Sequence, residues 1–328
     1  MSRGWGWMVA VALVLGGCSA TESSSPSAPV TTSAAPETKA TYIERRQAVI
    51  PVTNGDGLVA AAGAVWVKTD DGRVVRIDPA TNRVTGEIKI DTTSDENQYC
   101  QGIGADSSGL WACATADDGT GVAQIDPNTR RIVRRVAVGK VFDQLTLPLA
   151  NRGLWVLTSN GTQASVVESG TAKVTGYPLG ARCLQLAAKD DFVVATSSTE
   201  GKVIALDATS GAVTAQASLP APRIAVLAST GVWVDTDDGL THLTGELAVR
   251  TVYRNLRAGA GGDLVAAGDT IFVRAPDGTI TKIEPNTGRV VEQITPDEPL
   301  TAGSLLVAFG SLWTTSSDEG TVTRLRLA

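Results

Sequence analysis

From Val84 to Ile90 the chain sets Val84, Gly86, Ile88 and Ile90 against Thr85, Glu87 and Lys89, the period-two pattern of a half-exposed strand. Other stretches are apolar or small throughout. Around the second copy of the pattern, Gly102–Asp106, Leu110–Thr115 and Val122–Ile125 read as strands packed on both faces, and Arg131–Val138 as the outer, alternating one. The segment 63–90, GAVWVKTDDGRVVRIDPATNRVTGEIKI, returns with substitutions from Gly109 and again from Asp269. Aligning the aromatic of the second strand gives Trp66, Trp111, Trp155, Val193 as a replacement, Trp233, Phe272 and Trp313. A step of roughly 40 residues repeated to the end of the chain predicts an all-β, seven-bladed β-propeller of four-stranded blades.

Two turns punctuate each unit. Asp78-Pro79-Ala80-Thr81-Asn82, Asp126-Pro127-Asn128-Thr129, Asp207 to Gly211 and Glu284 to Gly288 follow the third strand. There the acid can accept a backbone N–H two residues on, Pro presets φ and Asn or Gly takes the left-handed position. Asp71-Gly72, Asn160-Gly161, Asp238-Gly239 and Asp277-Gly278 are hairpin signals between the second and third strands. The last unit stops after its third strand, Val322–Leu327, and Ile43–Val52 resembles an orphan outer strand. Pairing the two would close the ring and remove both edges.

The N-terminus changes the picture of where this ring resides. Met8–Leu15 is an apolar run too short to span a bilayer, and Leu15-Gly16-Gly17-Cys18 resembles the lipobox of bacterial lipoproteins. That resemblance implies a signal peptide over 1–17, lipidation of Cys18 and a place on the extracytoplasmic face of a bacterial membrane. Residues 18–40 are almost wholly Ser, Thr, Ala and Pro, and are expected to be a disordered tether before a folded domain over 41–328. The formal net charge of -6 disfavours a nucleic-acid partner. Outside the cytoplasm disulfides persist, and Cys100 and Cys113 fall close to opposite one another around Ser107 and Ser108, which predicts a Cys100–Cys113 bridge with Cys183 free and buried. Pairings through Cys183 stay open.

The repeated aromatic-Val strand, Asp-Gly turn, Arg-Ile-Asp-Pro and Thr-Asn-Arg-Val resemble the YVTN and virginiamycin B lyase-like group of seven-bladed propellers. The propellers of pyrroloquinoline-quinone dehydrogenases share only the turn type of Asp207–Gly211 and are set aside for their eight blades and adjacent cysteine pair. Resemblance to the lyase implies elimination by a histidine base beside a metal held by a glutamate. The single histidine, His242, aligns with Arg76, Gln124, Ala205 and Lys282 and reads as a solvated strand residue before a base. One histidine excludes a His-rich zinc site, and no cofactor or metal is expected.

Function is expected in the connections between blades, which vary while the strands repeat. Tyr99, Gln101, Gln144, Arg182 and Arg223 fall around the channel mouth, and the two arginines suit a carboxylate or other anion. The reading is a lipid-anchored binding or scaffold protein taking an envelope protein or a glycan-like ligand through that face. A lyase or hydrolase of the virginiamycin B lyase-like type is the alternative, and a purely structural envelope scaffold a third.

Overall fold

The computed structural model describes residues 29–31, 35–90, 101–116, 119–139, 141 and 147–327. Seven antiparallel four-stranded blades follow one another along the chain. Blade 1 is built from Gly55–Ala61, Ala64–Thr69, Arg73–Asp78 and Arg83–Lys89, and blade 2 from Ile103–Asp106, Gly109–Ala116, Gly119–Asp126 and Arg131–Ala137. In every blade the first strand is innermost. Blade 7 takes its outer strand from the other end of the chain: Arg46–Pro51 pairs antiparallel with Thr321–Arg326, so the ring is closed as expected.

The apolar residues of the described chain fall into seven separate clusters, each between two neighbouring blades. Strands apolar on both faces are what such stacking requires, because each blade buries one face on the blade before and one on the blade after. The fully buried Trp66 meets Leu110, Ala112 and Ile125 of blade 2, and the fully buried Trp313 closes the ring against Val65, Val67 and Val75 of blade 1.

Register corrects one alignment. Trp66 pairs with Arg76, Trp111 with Gln124, Trp233 with His242 and Phe272 with Lys282, in each case the residue just before a bulge in the third strand. In blade 4 the residue before the bulge is Ala205, and its partner is Val194. The aromatic position there belongs to Val194, packed toward blade 5, while Val193 faces blade 3. Two adjacent valines, both fully buried, cannot reveal a one-residue slip in sequence, although that slip exchanges the faces of the strand.

The N-terminal segment does more than close the ring. Val30–Thr31 runs parallel to the outer strand of blade 5, Val249–Tyr253, and Thr38–Thr41 runs parallel to that of blade 6, Arg289–Thr295, making both sheets five-stranded. The expected disordered tether over 18–40 is therefore corrected at residues 30–31 and 38–40: outer strands offer unpaired N–H and C=O groups, and an extended Ser/Thr-rich segment can satisfy them whatever its side chains. The expected strand over Ile43–Val52 is shorter too. Tyr42–Arg45 is a helical turn with a capping box, Thr41 accepting from Glu44 N–H and the Glu44 carboxylate accepting from Thr41 N–H at 2.6 Å. That turn drives Tyr42 between blades 6 and 7, against Phe272, Ile294, Leu305 and Leu325, with its hydroxyl donating to Gly278 O at 2.7 Å.

Candidate functional site at the channel mouth

The innermost strands all begin at one end of the central channel, and a cavity of about 570 Å³ opens there. Asp56 of blade 1, Gln101 before blade 2, Leu184 and Gln185 of blade 4, Arg223 and Ile224 of blade 5, Gly259–Gly262 before blade 6 and Ala302 with Gly303 before blade 7 line it. Its walls are mostly small or apolar, with a few polar groups, the composition of small-ligand and peptide-anchor sites.

Of the five residues expected at the mouth, Gln101 and Arg223 line this cavity. Arg182 does not: its backbone N–H donates to Glu200 at 2.8 Å and its Nε to Asn160 O at 3.3 Å, which hold it at the turns of blades 3 and 4. Tyr99 and Gln144 lie outside the described residues. Arg223 is also not an open anion site, because it bridges Asp235 at 3.3 Å and Asp237, and Asp237 further accepts from Arg257 at 2.9 Å. Arg182 thus stands beside the cavity wall near Leu184 without lining it, and Arg223 lines it while paired with Asp235 and Asp237.

Those carboxylates are part of the frame. Asp235 is fully buried; burial raises its pKa, while the N–H groups of Ala258 at 2.8 Å and Gly259 at 3.1 Å, together with Arg223, favour the ionised form. It thereby fixes the glycine-rich segment that lines the mouth. Asp263 accepts from Leu264 N–H and from Leu305 N–H, both at 2.7 Å, and burial pushes its carboxyl up to about 6. The buried Arg274 donates to Thr314 Oγ1 at 2.9 Å and to the carbonyls of Thr301 at 2.7 Å and Thr315 at 3.2 Å, with its pKa lowered by burial. Gln101 hydrogen-bonds Asp70, whose pKa burial raises and that bond lowers. Asp263 was expected among the blade connections around the mouth, whereas Asp235 and Arg274 were not expected from the sequence. Their signal is a charged residue inside or beside an otherwise apolar strand, as in Val232-Trp233-Val234-Asp235, since an isolated buried charge is costly unless bonded.

His242 lies elsewhere. Its ring stacks on Trp233 with centroids 4.3 Å apart and 9° between planes, and Nε2 faces Thr230 O at 3.0 Å. Thr230 belongs to the turn at the far end of an innermost strand, about 15 Å from the mouth for four or five residues at the rise of a strand. Only 6 % of the residue is exposed, and burial lowers its pKa, so the expected solvated strand residue is corrected to a buried lid on a tryptophan. Arg76 over Trp66 and Arg324 over Trp313 do the same in blades 1 and 7. An alignment column holding Arg, His, Gln and Lys looks wet, yet these amphipathic side chains lay their flat or aliphatic parts on the ring.

Cys113 is disulfide-bonded, with its N–H donating to Gly102 O at 3.0 Å, and Cys183 is free and buried. Cys18 and Cys100 lie outside the described residues.

The model of the family described as "Outer membrane protein assembly factor BamB" matches residues 55–328, which is every blade except for the borrowed strand of blade 7. The chain belongs to this family. No curated protein matches the chain. Among solved structures, BamB from Moraxella catarrhalis is similar with a TM-score of 0.57 and 14% identity, over 84% of this chain and 85% of that one. The β-propeller domain of Cps50 (Swd1) from Myceliophteria thermophila reaches 0.63 at 11% identity over 87% and 99%. Hydrazine synthase from Kuenenia stuttgartiensis reaches 0.65 at 13% over 84% and 96%. Likeness at such identities is likeness of fold, so family membership rests on the sequence match.

Proposed function

We propose that this BamB-family propeller is an extracytoplasmic binding or scaffold protein of the bacterial envelope, anchored through a lipid on Cys18 and engaging a protein partner at the channel mouth. The observation that carries the reading is the cavity itself: apolar walls with a sparse polar rim, framed by the buried carboxylates Asp235 and Asp263. The name of the family, an assembly factor for outer membrane proteins, supports an envelope protein before a glycan-like ligand. The YVTN-like repeat is the finer description of the blades, resting on the motifs quoted above. Tyr99 and Gln144 complete the mouth in this reading, with Gln101 and Ile224 as the contacts on the described wall.

The experiment introduces an arginine at two further lining positions of the mouth, Ser198→Arg in blade 4 and Ala260→Arg before blade 6, and measures partner capture from the native envelope beside thermal stability. Capture lost at unchanged melting temperature is the expected result. Unchanged capture in both variants would move the binding surface off the mouth. Cys18→Ala tests the anchor separately, and a variant that stays membrane-bound and is cleaved at the same place would refute lipidation there.

A further inference from the structure

At the face of the ring opposite the mouth, the blades are pinned together by side chains reaching into the next blade's turn. Arg324 of blade 7 stacks on Trp313 at 4.8 Å and donates to Pro79 O and, at 2.8 Å, to Asn82 Oδ1 in blade 1. Arg134 of blade 2 donates to Ser169 O of blade 3, and Arg152 of blade 3 to Thr209 O of blade 4 at 3.0 Å.

The junction of blades 1 and 2 breaks the pattern. Arg76 holds the same register as Arg324, paired with its blade's tryptophan and lying over the ring at 5.9 Å. Asn82 closes the Asp-Pro turn of blade 1 with φ 54, and the residue at that place in blade 2 is Arg130, with φ 58. Where Arg324 finds an amide oxygen, Arg76 therefore faces a second guanidinium. It turns aside to Thr85 Oγ1 at 2.5 Å, and Arg130 reaches back to Thr85 O at 3.3 Å. The gap stays open as a cavity of about 370 Å³ lined by Ala62, Arg76, Pro127, Asn128 and Arg130. Neither arginine forms an ion pair among the described residues.

We propose that this cavity is an oxyanion site, in which a phosphate or carboxylate group stands where Asn82 Oδ1 stands at the neighbouring junction and is held between the guanidiniums of Arg76 and Arg130. Three observations converge. Planar guanidiniums are the side chains best matched to oxyanions, and here their Nε and Nη2 atoms have no other partner among the described residues. The left-handed turn position of Arg130 holds Ala172 in blade 3 and Leu247 in blade 5, so the turn itself does not call for a cation there. The carboxylates around it are already used: Asp78, which interacts with Arg76, accepts from Ala80 N–H at 2.8 Å, Asp126 from Asn128 N–H and Thr129 Oγ1, both at 2.8 Å, and Asp106 from Ser108 N–H at 2.8 Å. The cavity has room for a free oxyanion or for one carried on a larger group.

The test is titration of the full chain with inorganic phosphate and with glycerol phosphate at constant ionic strength, followed by calorimetry. Arg130→Asn restores the arrangement of Asn82 and suits the backbone there, so it should melt at or above the parent temperature while binding phosphate at least tenfold more weakly. Arg76→Gln should weaken binding similarly. Glycerol phosphate binding more tightly than inorganic phosphate would mark a phosphate ester as the ligand, and equal binding a free oxyanion. Absence of saturable binding, or equal binding by the parent and Arg130→Asn, would overturn the proposal.

Discussion

The carboxylate of Asp263 in blade 6 accepts the backbone N–H of Leu305 in blade 7 at 2.7 Å, so a side chain takes the place of a ladder bond between two sheets. Gln185 does the same from blade 4 to Ala225 N–H of blade 5 at 3.0 Å, and the Thr315 hydroxyl of blade 7 donates to Asp56 O of blade 1 at 2.9 Å. Sheets meeting face to face share no backbone ladder, and here polar stitches lie beside the apolar contacts of the same inner strands, Leu305 and Ala225 among them. Polar stitches thus join neighbouring blades at the radius where the cavity sits.

Tyr42 is expected to carry much of ring closure. Its ring fills the space between blades 6 and 7 and its hydroxyl is bonded to Gly278 O. Tyr42→Ala should cost about 3–5 kcal/mol, the range for truncating a buried aromatic. Tyr42→Phe, which loses only the hydrogen bond, should cost about 1 kcal/mol. Denaturant melts read both, and equal small losses would show that the strand pairing of Arg46–Pro51 closes the ring alone.

For the cysteines, the expected state is one bridge and one inert thiol. Cys183 is buried and its pKa is pushed up to about 12 chiefly by that burial, so an alkylating reagent at neutral pH should modify it only after unfolding. Peptide mapping without reduction should find Cys113 joined to Cys100. Rapid labelling of Cys183 in the folded protein would contradict its placement between blades 3 and 4.

Much of this architecture was legible because a repeat states its pattern seven times. Strand order, the Asp-Pro and Asp-Gly turns and the borrowed strand of blade 7 all follow from period and composition, which sheet stacking constrains in every copy. Three features were not legible, for three different reasons. The Val193/Val194 slip is silent because both residues are equally apolar. Val30–Thr31 and Thr38–Thr41 bind as strands through their backbones, so their Ser/Thr/Ala-rich composition carries no signal for it. At the mouth, Arg182 and Arg223 were indistinguishable as loop cations, and only the position of Asp235 and Asp237 decides that Arg223 is neutralised.

Asp263 should make the fold prefer mild acid. Its carboxyl titrates near 6 in the fold against 3.8 in the unfolded chain, so the folded state binds this proton more tightly. Its contribution is fully present below about pH 3.8 and is lost as pH rises through 6. Compared with the parent, Asp263→Asn should show a smaller decline in melting temperature between pH 5 and pH 7. Parallel profiles would mean that the two N–H donors, Leu264 and Leu305, keep the carboxylate ionised despite its burial.

His242 should act in the opposite sense over the same range, and the two must be separated. Burial against Trp233 lowers its pKa from 6.5, so below that pH the unfolded chain takes up a proton that the folded one refuses. The contribution of His242 is therefore present at neutral pH and is lost as pH falls below 6.5 toward the lower folded value. The chain contains a single histidine, so His242→Gln removes every imidazole from the profile. Glutamine cannot stack as the ring does, and a modest loss at pH 7.5, about 1 kcal/mol for the aromatic contact, is expected. The decisive quantity is the slope: relative to the parent, the variant should lose less stability on acidification from pH 6.5 to pH 5. Thermal melts of the parent, His242→Gln, Asp263→Asn and the double variant across that range would separate the two groups, which lie in different blades and share no bonding partner. A parent and His242→Gln with the same slope would mean that the imidazole accepts its proton in place, and that the stack on Trp233 holds a cation as Arg76 and Arg324 do on Trp66 and Trp313.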